Sequence, residues 1–573
     1  MYLPRFLIPC LILFCIFGFS GVASLGVFAF AAVHADSLET RVEQAIRTQV
    51  TRSSITCQGE LICGADAIPA FYAQHMYQPV WDLTQGAWSK AEAMVDCIHA
   101  SATQAMRPAD YHVQALEELL AVLQAQWPTL DPQEVADADI LLTDAFLTLA
   151  GHMRAGRVNP QTLYPSWVAS DHAPDLIAAL NRALGSETLG QELKRQLPPH
   201  LGYHSLRRAW QRYARLAEYG GWPHMKEGKN LELGEDSPRV IDLMQRLAIT
   251  GDFAFTPHTL LDTRFRHNLD DAVRSFQRRH GLRVDGIVGP KTLAALNVSA
   301  QERSTQLALN LERWRWIPRD LGSPHVRVNV ADFTLTFQDS QGFETRQRVI
   351  VGKTARRTPV FSDRITYLVL NPTWNVPRSI MIKDILPKVI KNPEYLDDNA
   401  MTLLSGWGEK AQEIDPQSID WQNVDPKSFP YRLRQEPGPD NALGRIKFMF
   451  PNPFSVYLHD TPHKALFEKV ARDFSSGCIR VEHPLALALA VLGPEANWDD
   501  SDLRKAIASG RTRVIRLSHP VPVHLLYWTA WVDHAGKVHF REDIYDRDNK
   551  LQAALAQRTP SLESVVYPPE PDL

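Results

Sequence analysis

Cysteine is scarce in this 573-residue chain, with only six residues. Cys10 and Cys15 fall near the start, Cys57, Cys63 and Cys97 lie in one stretch, and Cys478 stands alone. So few exclude a disulfide-built scaffold and leave Cys57–Cys63 or Cys63–Cys97 as pairings with one cysteine over. A zinc set of these three with His99 is the metal alternative. No basic tract or stripe is present, and net charge is −4, so nothing points to nucleic acid. After the first 35 positions no apolar run is long enough to span a bilayer. No fingerprint of a cofactor is present, and none is expected.

What is present bounds the class. Apolar residues make up 45% and charged residues 22%, as in an ordinary globular protein. The length asks for two to four domains. Residues 1–35 open with Arg5, run apolar from Phe6 to Val33, and place Val33-His34-Ala35 before Asp36 in the manner of a signal-peptidase site. They read as a signal peptide, or as an anchor if uncleaved. Either way the bulk of the chain is exported.

Residues 36–230 read as helical. Asp131-Pro132-Gln133-Glu134 supplies an N-cap, a Pro at N1 and a Glu at N3. Ala138, Leu141, Leu142, Ala145, Leu149 and Met153 then recur at helical spacing up to Gly156. Residues 231–298 predict three short helices, with Asp285-Gly286 as a turn and Pro290 opening the last. Residues 299–325 read as a linker. From Val326 the period changes to two, and residues 326–519 predict a β-rich domain interrupted at 374–443 by a Pro-, Asp- and Asn-rich insertion. Residues 520–573 read as a hairpin and tail packed on that domain.

The densest chemical signal is Phe474-Ser475-Ser476-Gly477-Cys478-Ile479-Arg480, with His459 nineteen positions before Cys478. A thiol attacks a carbonyl as thiolate, and a nearby imidazole can take its proton. Small neighbours let backbone N–H groups, here those of Gly477 and Cys478, reach a developing oxyanion. His463 and His483 compete with His459 for the role of base. The His459 ring is oriented by the Asp460 carbonyl or by its carboxylate. Arg480 braces the turn or reads a substrate carboxylate.

This pattern resembles the catalytic motif of the L,D-transpeptidases (the YkuD-type catalytic domain), in which a His precedes Ser-His-Gly-Cys and then Arg. Ser475, Gly477, Cys478 and Arg480 match, and Ser476 replaces the second His. Val349-Ile350-Val351-Gly352-Lys353 with Thr358-Pro359 is similar to that family's strand text. Phe276-Gln277 through Asp285-Gly286-Ile287-Val288-Gly289-Pro290 resembles the peptidoglycan-binding type 1 domain. Segments near Tyr72, Tyr111 and Arg157 resemble the helical scaffold of the family's large multidomain branch.

The resemblance implies a multidomain α+β protein. Its parts are a helical scaffold, a three-helix peptidoglycan-binding bundle, and a β-sandwich-like catalytic domain with a capping insertion. It implies a cysteine acyltransferase joining donor and acceptor peptidoglycan stem peptides by 3→3 cross-links in the periplasm of a Gram-negative-type cell, and reaction with carbapenems. Other cell-wall synthesis enzymes are partners to expect, with membrane contact only through an uncleaved leader. On the same site an L,D-carboxypeptidase or endopeptidase, or a transpeptidase attaching a lipoprotein to the wall, is the alternative. A non-catalytic peptidoglycan-binding protein is the remaining one.

Overall fold

The computed structural model describes residues 37–64, 66–168, 175–185, 188–256, 262–406 and 410–557. The leader, with Cys10 and Cys15, and the tail from residue 558 lie outside the described residues. Within them no helix is long and apolar enough to cross a membrane.

The N-terminal part is built around the helix Pro132–Ala155. Asp131 caps it, accepting from Gln133 N at 2.7 Å, and Gly156 ends it at φ +89°. The helix is buried on nearly every side, because the helices Leu38–Val50, Ser89–Ala100 and Val113–Gln126 pack around it. Its interior carboxylates are all engaged. Asp139 accepts from Tyr72 and from the Val80 and Trp81 amides, and Asp144 from His112 and the Cys63 and Gly64 amides. Cys57, Cys63 and Cys97 are free thiols, so the pairings expected above are not formed. His99 pairs with Glu117 at 2.8 Å, and no metal-ligating cluster occurs among the described residues.

The small bundle consists of Arg239–Ile249, His267–Arg279 and Pro290–Asn297, with its own core of Val240, Leu243, Leu247, Phe276 and Leu296. Gln277 explains the Phe-Gln text. Its amide donates to Asp285 Oδ1, Ile287 O and Thr292 Oγ1, and accepts from the Asp285 and Gly286 amides. One buried side chain thereby pins the whole turn that feeds the third helix.

The segment read as a linker is largely the helix Ala300–Arg315, opened by a Ser299–Glu302 capping box. Leu307, Leu311 and Trp314, at helical spacing, enter the core of the N-terminal helices, while Leu309 and Trp316 enter the core of the β domain. Its arginines hid this role from the sequence. Arg313 and Arg315 are buried but paired with Asp548 at 2.6 Å and Glu312 at 2.7 Å.

Nine strands make the β domain: β1 (Trp167–Val168), β2 (His325–Asn329), β3 (Thr334–Gln338), β4 (Glu344–Ile350), β5 (Val360–Leu370), β6 (Ile446–Met449), β7 (Leu458–His459), β8 (Ile479–Val481) and β9 (Arg513–Leu526). The ladder runs β6-β7-β8-β4-β3-β2-β9-β5-β1, and β5 also pairs with β6. Eight strands therefore close on themselves, rather than leaving the two sheets of a sandwich. A register shift between Arg516 and Val521 lets β9 bend round the closure.

Two further differences concern the ends. The hairpin Ala530–Val532/Val538–Phe540 packs its apolar side in the helical core beside Tyr213 and Trp314, while His534 in its turn reaches Glu344 of the β domain at 3.2 Å. Phe540 stacks on His280 of the small bundle at 5.4 Å. Tyr545 and Leu551 return to the β-domain core, with Ile544 and Leu555 packed against it. The insertion is a folded unit, as its aromatic and branched apolar residues lead one to expect. It holds a four-stranded sheet, a helical stretch from Arg378 to Lys391, and a core of Met381, Leu386, Leu403, Trp421 and Leu433.

Candidate active site

Register alone assembles the site. Directly paired residues share a face of a sheet, and residues two apart on a strand share it too. Antiparallel β6 sets Lys447 opposite His459, and parallel β8 sets Arg480 opposite the same His459. Tyr457 precedes His459 by two, and Cys478 precedes Arg480 by two. All five therefore lie on the outer face, while Phe448, Leu458 and Ile479 fill the barrel. The Ile479 amide donates to Tyr457 O at 3.1 Å and holds Cys478 level with Tyr457.

His459 is buried, and its Nδ1 lies 2.5 Å from the Asp460 carbonyl. That bond makes Nδ1 the protonated nitrogen and leaves Nε2 as a lone-pair acceptor. The Asp460 carboxylate is engaged elsewhere, accepting from the Arg445 amide at 2.8 Å, the Thr461 amide at 2.7 Å and Lys464 Nζ at 2.6 Å. Burial, with Arg480 and Lys447 nearby, pushes the His459 pKa down to about 3. Burial raises that of Cys478, while Tyr457, Lys447 and Arg480 oppose the rise. The resting pair is thus neutral thiol and neutral imidazole.

The nucleophile turn is tied down by small residues. Ser475 Oγ donates to the Cys478 carbonyl at 2.5 Å and accepts from the Gly477 amide at 3.1 Å. The Gly477 N–H is therefore occupied, which removes it from the expected oxyanion pair. The Cys478 N–H has no hydrogen-bond partner among the described residues and is the donor left. Gly477 sits at φ +117°, where a side chain would be strained. Behind it Gly352 permits close approach: a Cβ there would lie 2.1 Å from the Arg356 carbonyl and 3.1 Å from Gly477 Cα. Thr358 Oγ1 stitches the two turns, accepting from the Gly352 amide at 2.9 Å and donating to Gly477 O at 2.8 Å.

The rival histidines are elsewhere. His463 is exposed, and His483 is exposed at the start of the helix Pro484–Leu492. Two residues join the site that motif reading passed over. Tyr457 hydrogen-bonds the Cys478 thiol and Trp374, the first residue of the insertion. Lys447 lies over the Tyr457 ring at 3.9 Å. Alternation from His459 would have found Tyr457, but nothing in the sequence pairs β6 with β7. The cap also touches the turn through Arg356, which bonds Asp384 of the insertion and Ser476 Oγ at 2.7 Å.

Comparison with known proteins agrees with this geometry. Residues 323–515 match the model of the "L,D-transpeptidase catalytic domain", residues 66–210 a "Scaffold domain" and residues 236–296 a "Putative peptidoglycan binding domain". A Haemophilus influenzae protein named "Putative L,D-transpeptidase" is 38% identical over 257 residues, 45% of this chain. The chain spans about half of that relative, 51% of its length. An L,D-transpeptidase structure from Stackebrandtia nassauensis aligns at 14% identity and TM-score 0.20, over 53% of this chain and 96% of that one. One from Xylanimonas cellulosilytica aligns at 14% and 0.15, over 52% and 98%. At those scores the superpositions add nothing to the fold described above. On these matches, residues 323–515 are similar to an L,D-transpeptidase catalytic domain, and the stretches before them to a scaffold and a peptidoglycan-binding domain.

Proposed function

We propose that this protein forms 3→3 cross-links between peptidoglycan stem peptides through a thioester on Cys478. The observation carrying the proposal is the shared face of Cys478 and a His459 whose Nδ1 is held by the Asp460 carbonyl. His459 takes the thiol proton as sulfur attacks the carbonyl carbon on the L side of the donor's diamino acid. The Cys478 N–H receives the oxyanion. The bond to the terminal D-residue breaks, and His459 returns the proton to the leaving amine. An acceptor amine then attacks the thioester and yields its proton to His459. The new amide forms, the C–S bond breaks, and the thiol is restored. The Asp460 carbonyl orients the ring, Ser475 and Gly477 shape the turn, and the insertion shields the thioester from water. The peptidoglycan-related domains imply work at the cell wall or in the periplasm, reached through export directed by residues 1–35.

The test is mass spectrometry of tetrapeptide muropeptides incubated with the protein beside Cys478→Ala. Dimers with a 3→3 bond, absent with the variant, support the proposal. Tripeptide monomers alone would make the protein an L,D-carboxypeptidase. A carbapenem adduct on Cys478, absent in Cys478→Ala, checks the nucleophile separately.

A further inference from the structure

Two cations flank the thiol without an acid to balance them. Lys447 and Arg480 are paired with His459 from its two sides, on the face that carries Cys478. Lys447 Nζ rests 3.9 Å from the centre of the Tyr457 ring. The Arg480 Nε is buried and has no hydrogen-bond partner. Among the described residues neither side chain makes an ion pair. The carboxylates nearest in sequence are committed: Asp460 to Lys464 and two amides, and Glu482 to Arg348. His459 and Cys478 are neutral at rest, so they supply no counter-charge.

Half-burying two cations on either side of one histidine costs stability unless an anion joins them. Elsewhere, buried Arg279, Arg313 and Arg315 each have a carboxylate, and Arg246, Arg303 and Arg547 are held by backbone carbonyls. Among the described residues Lys447 and Arg480 have neither kind of partner for their charged ends, and they share the face of the nucleophile, as a site for an anionic substrate requires. A guanidinium fork and an ammonium suit one carboxylate, the first bidentate and the second as a point charge.

We infer that Lys447 and Arg480 together bind a free carboxylate of the donor peptide beside the scissile bond, and that acylation of Cys478 depends on it. This rests on the transpeptidase reading and deepens it. The donor offers two such groups: the C-terminal carboxylate of the leaving D-residue, and the side-chain carboxylate of the diamino acid. Bound to the pair, either one holds the scissile carbonyl against the thiol.

The experiment compares three donor tetrapeptides with the full chain: unmodified, C-terminally amidated, and amidated at the diamino-acid side chain. Release of the terminal residue is followed for wild type, Lys447→Met and Lys447→Arg. One of the two amidations is expected to lower wild-type kcat/KM by roughly 30-fold, as for a lost buried charge pair. That donor identifies the carboxylate. Lys447→Met should lose a similar factor on the unmodified donor and little more on the sensitive amide, and Lys447→Arg should recover part of it. Wild type indifferent to both amidations, or Lys447→Met impaired equally on all donors, would overturn the inference. So would a Lys447→Met profile of Cys478 alkylation displaced to higher pH, since Lys447 would then serve the thiolate. Wild type that releases nothing from the unmodified donor, matching Cys478→Ala, would overturn the transpeptidase reading itself and the inference with it.

Discussion

His459 and Cys478 share one face of neighbouring strands and are both neutral at rest, and this sets the pH behaviour of the site. The imidazole pKa is held down to about 3 and that of the thiol is raised, both chiefly by burial. An ion pair would give a reactivity plateau through neutral pH. Here iodoacetamide alkylation of Cys478 should instead climb with pH up to and beyond the ordinary thiol range, with no inflection near 6–7. A flat profile from pH 5 upward would sink the neutral-pair description. Tyr457 is the second test at this scale. Its hydroxyl meets the sulfur and steadies the thiolate as it forms. Tyr457→Phe should slow acylation by about 10-fold, the worth of one hydrogen bond to a charged group, measured as adduct formation by mass spectrometry. The motif made Cys478, His459, Ser475, Gly477 and Arg480 legible because they are close in sequence. Lys447 and Tyr457 were not, since their place depends on which strand neighbours which.

The insertion is the element joined to the nucleophile turn through Arg356. Its core of Leu386, Leu403, Trp421 and Leu433 is separate from that of the barrel. Two side-chain bridges tether it to the chemistry: Trp374 to Tyr457, and Asp384 through Arg356 to Ser476. Asp384→Asn removes a half-exposed ion pair worth about 0–1 kcal/mol, so global stability should barely change. Amide exchange over residues 378–391 should nevertheless quicken, while β6–β8 stay protected. Unchanged exchange there would mean that the pair does not hold the cap. Composition marked this segment as an insertion but not its strands, because Pro, Asp and Asn crowd its turns and its strands are only two to five residues long. Strands so short carry too few alternations to be seen.

At the scale of the whole molecule, the helix Ala300–Arg315 serves two cores at once. Leu311→Ala, in a fully buried position, should cost about 2–5 kcal/mol and lower the melting of helical and β parts together. Separate shifts of two transitions would show the cores to be independent. For the same reason a fragment of residues 326–519 should not fold, since it lacks Tyr164, Trp167, Leu309, Trp316 and Tyr545 from its own core. Its circular dichroism and proteolysis would reveal a native β domain if that were wrong. Acid stability follows from buried neutral histidines in both cores. His152 and His459 are held near pKa 3 and His524 near 4, each below the usual value by burial. Below about pH 6.5 the unfolded chain binds protons that the folded one refuses, so stability falls as pH drops toward 3 to 4. Urea midpoints across that range measure it. Short-range order in the chain determined the helices, their caps, the Gln277 turn, the strand periods and the nucleophile text, because each depends on neighbours within a few residues. Only the tertiary structure decided the strand order that brings Lys447 and Tyr457 to the thiol. It alone closed the barrel, folded the insertion, sent the 530–540 hairpin into the helical core, and made a keystone of the supposed linker. Those outcomes depend on which distant surfaces bury one another, and local periodicity carries no record of that choice.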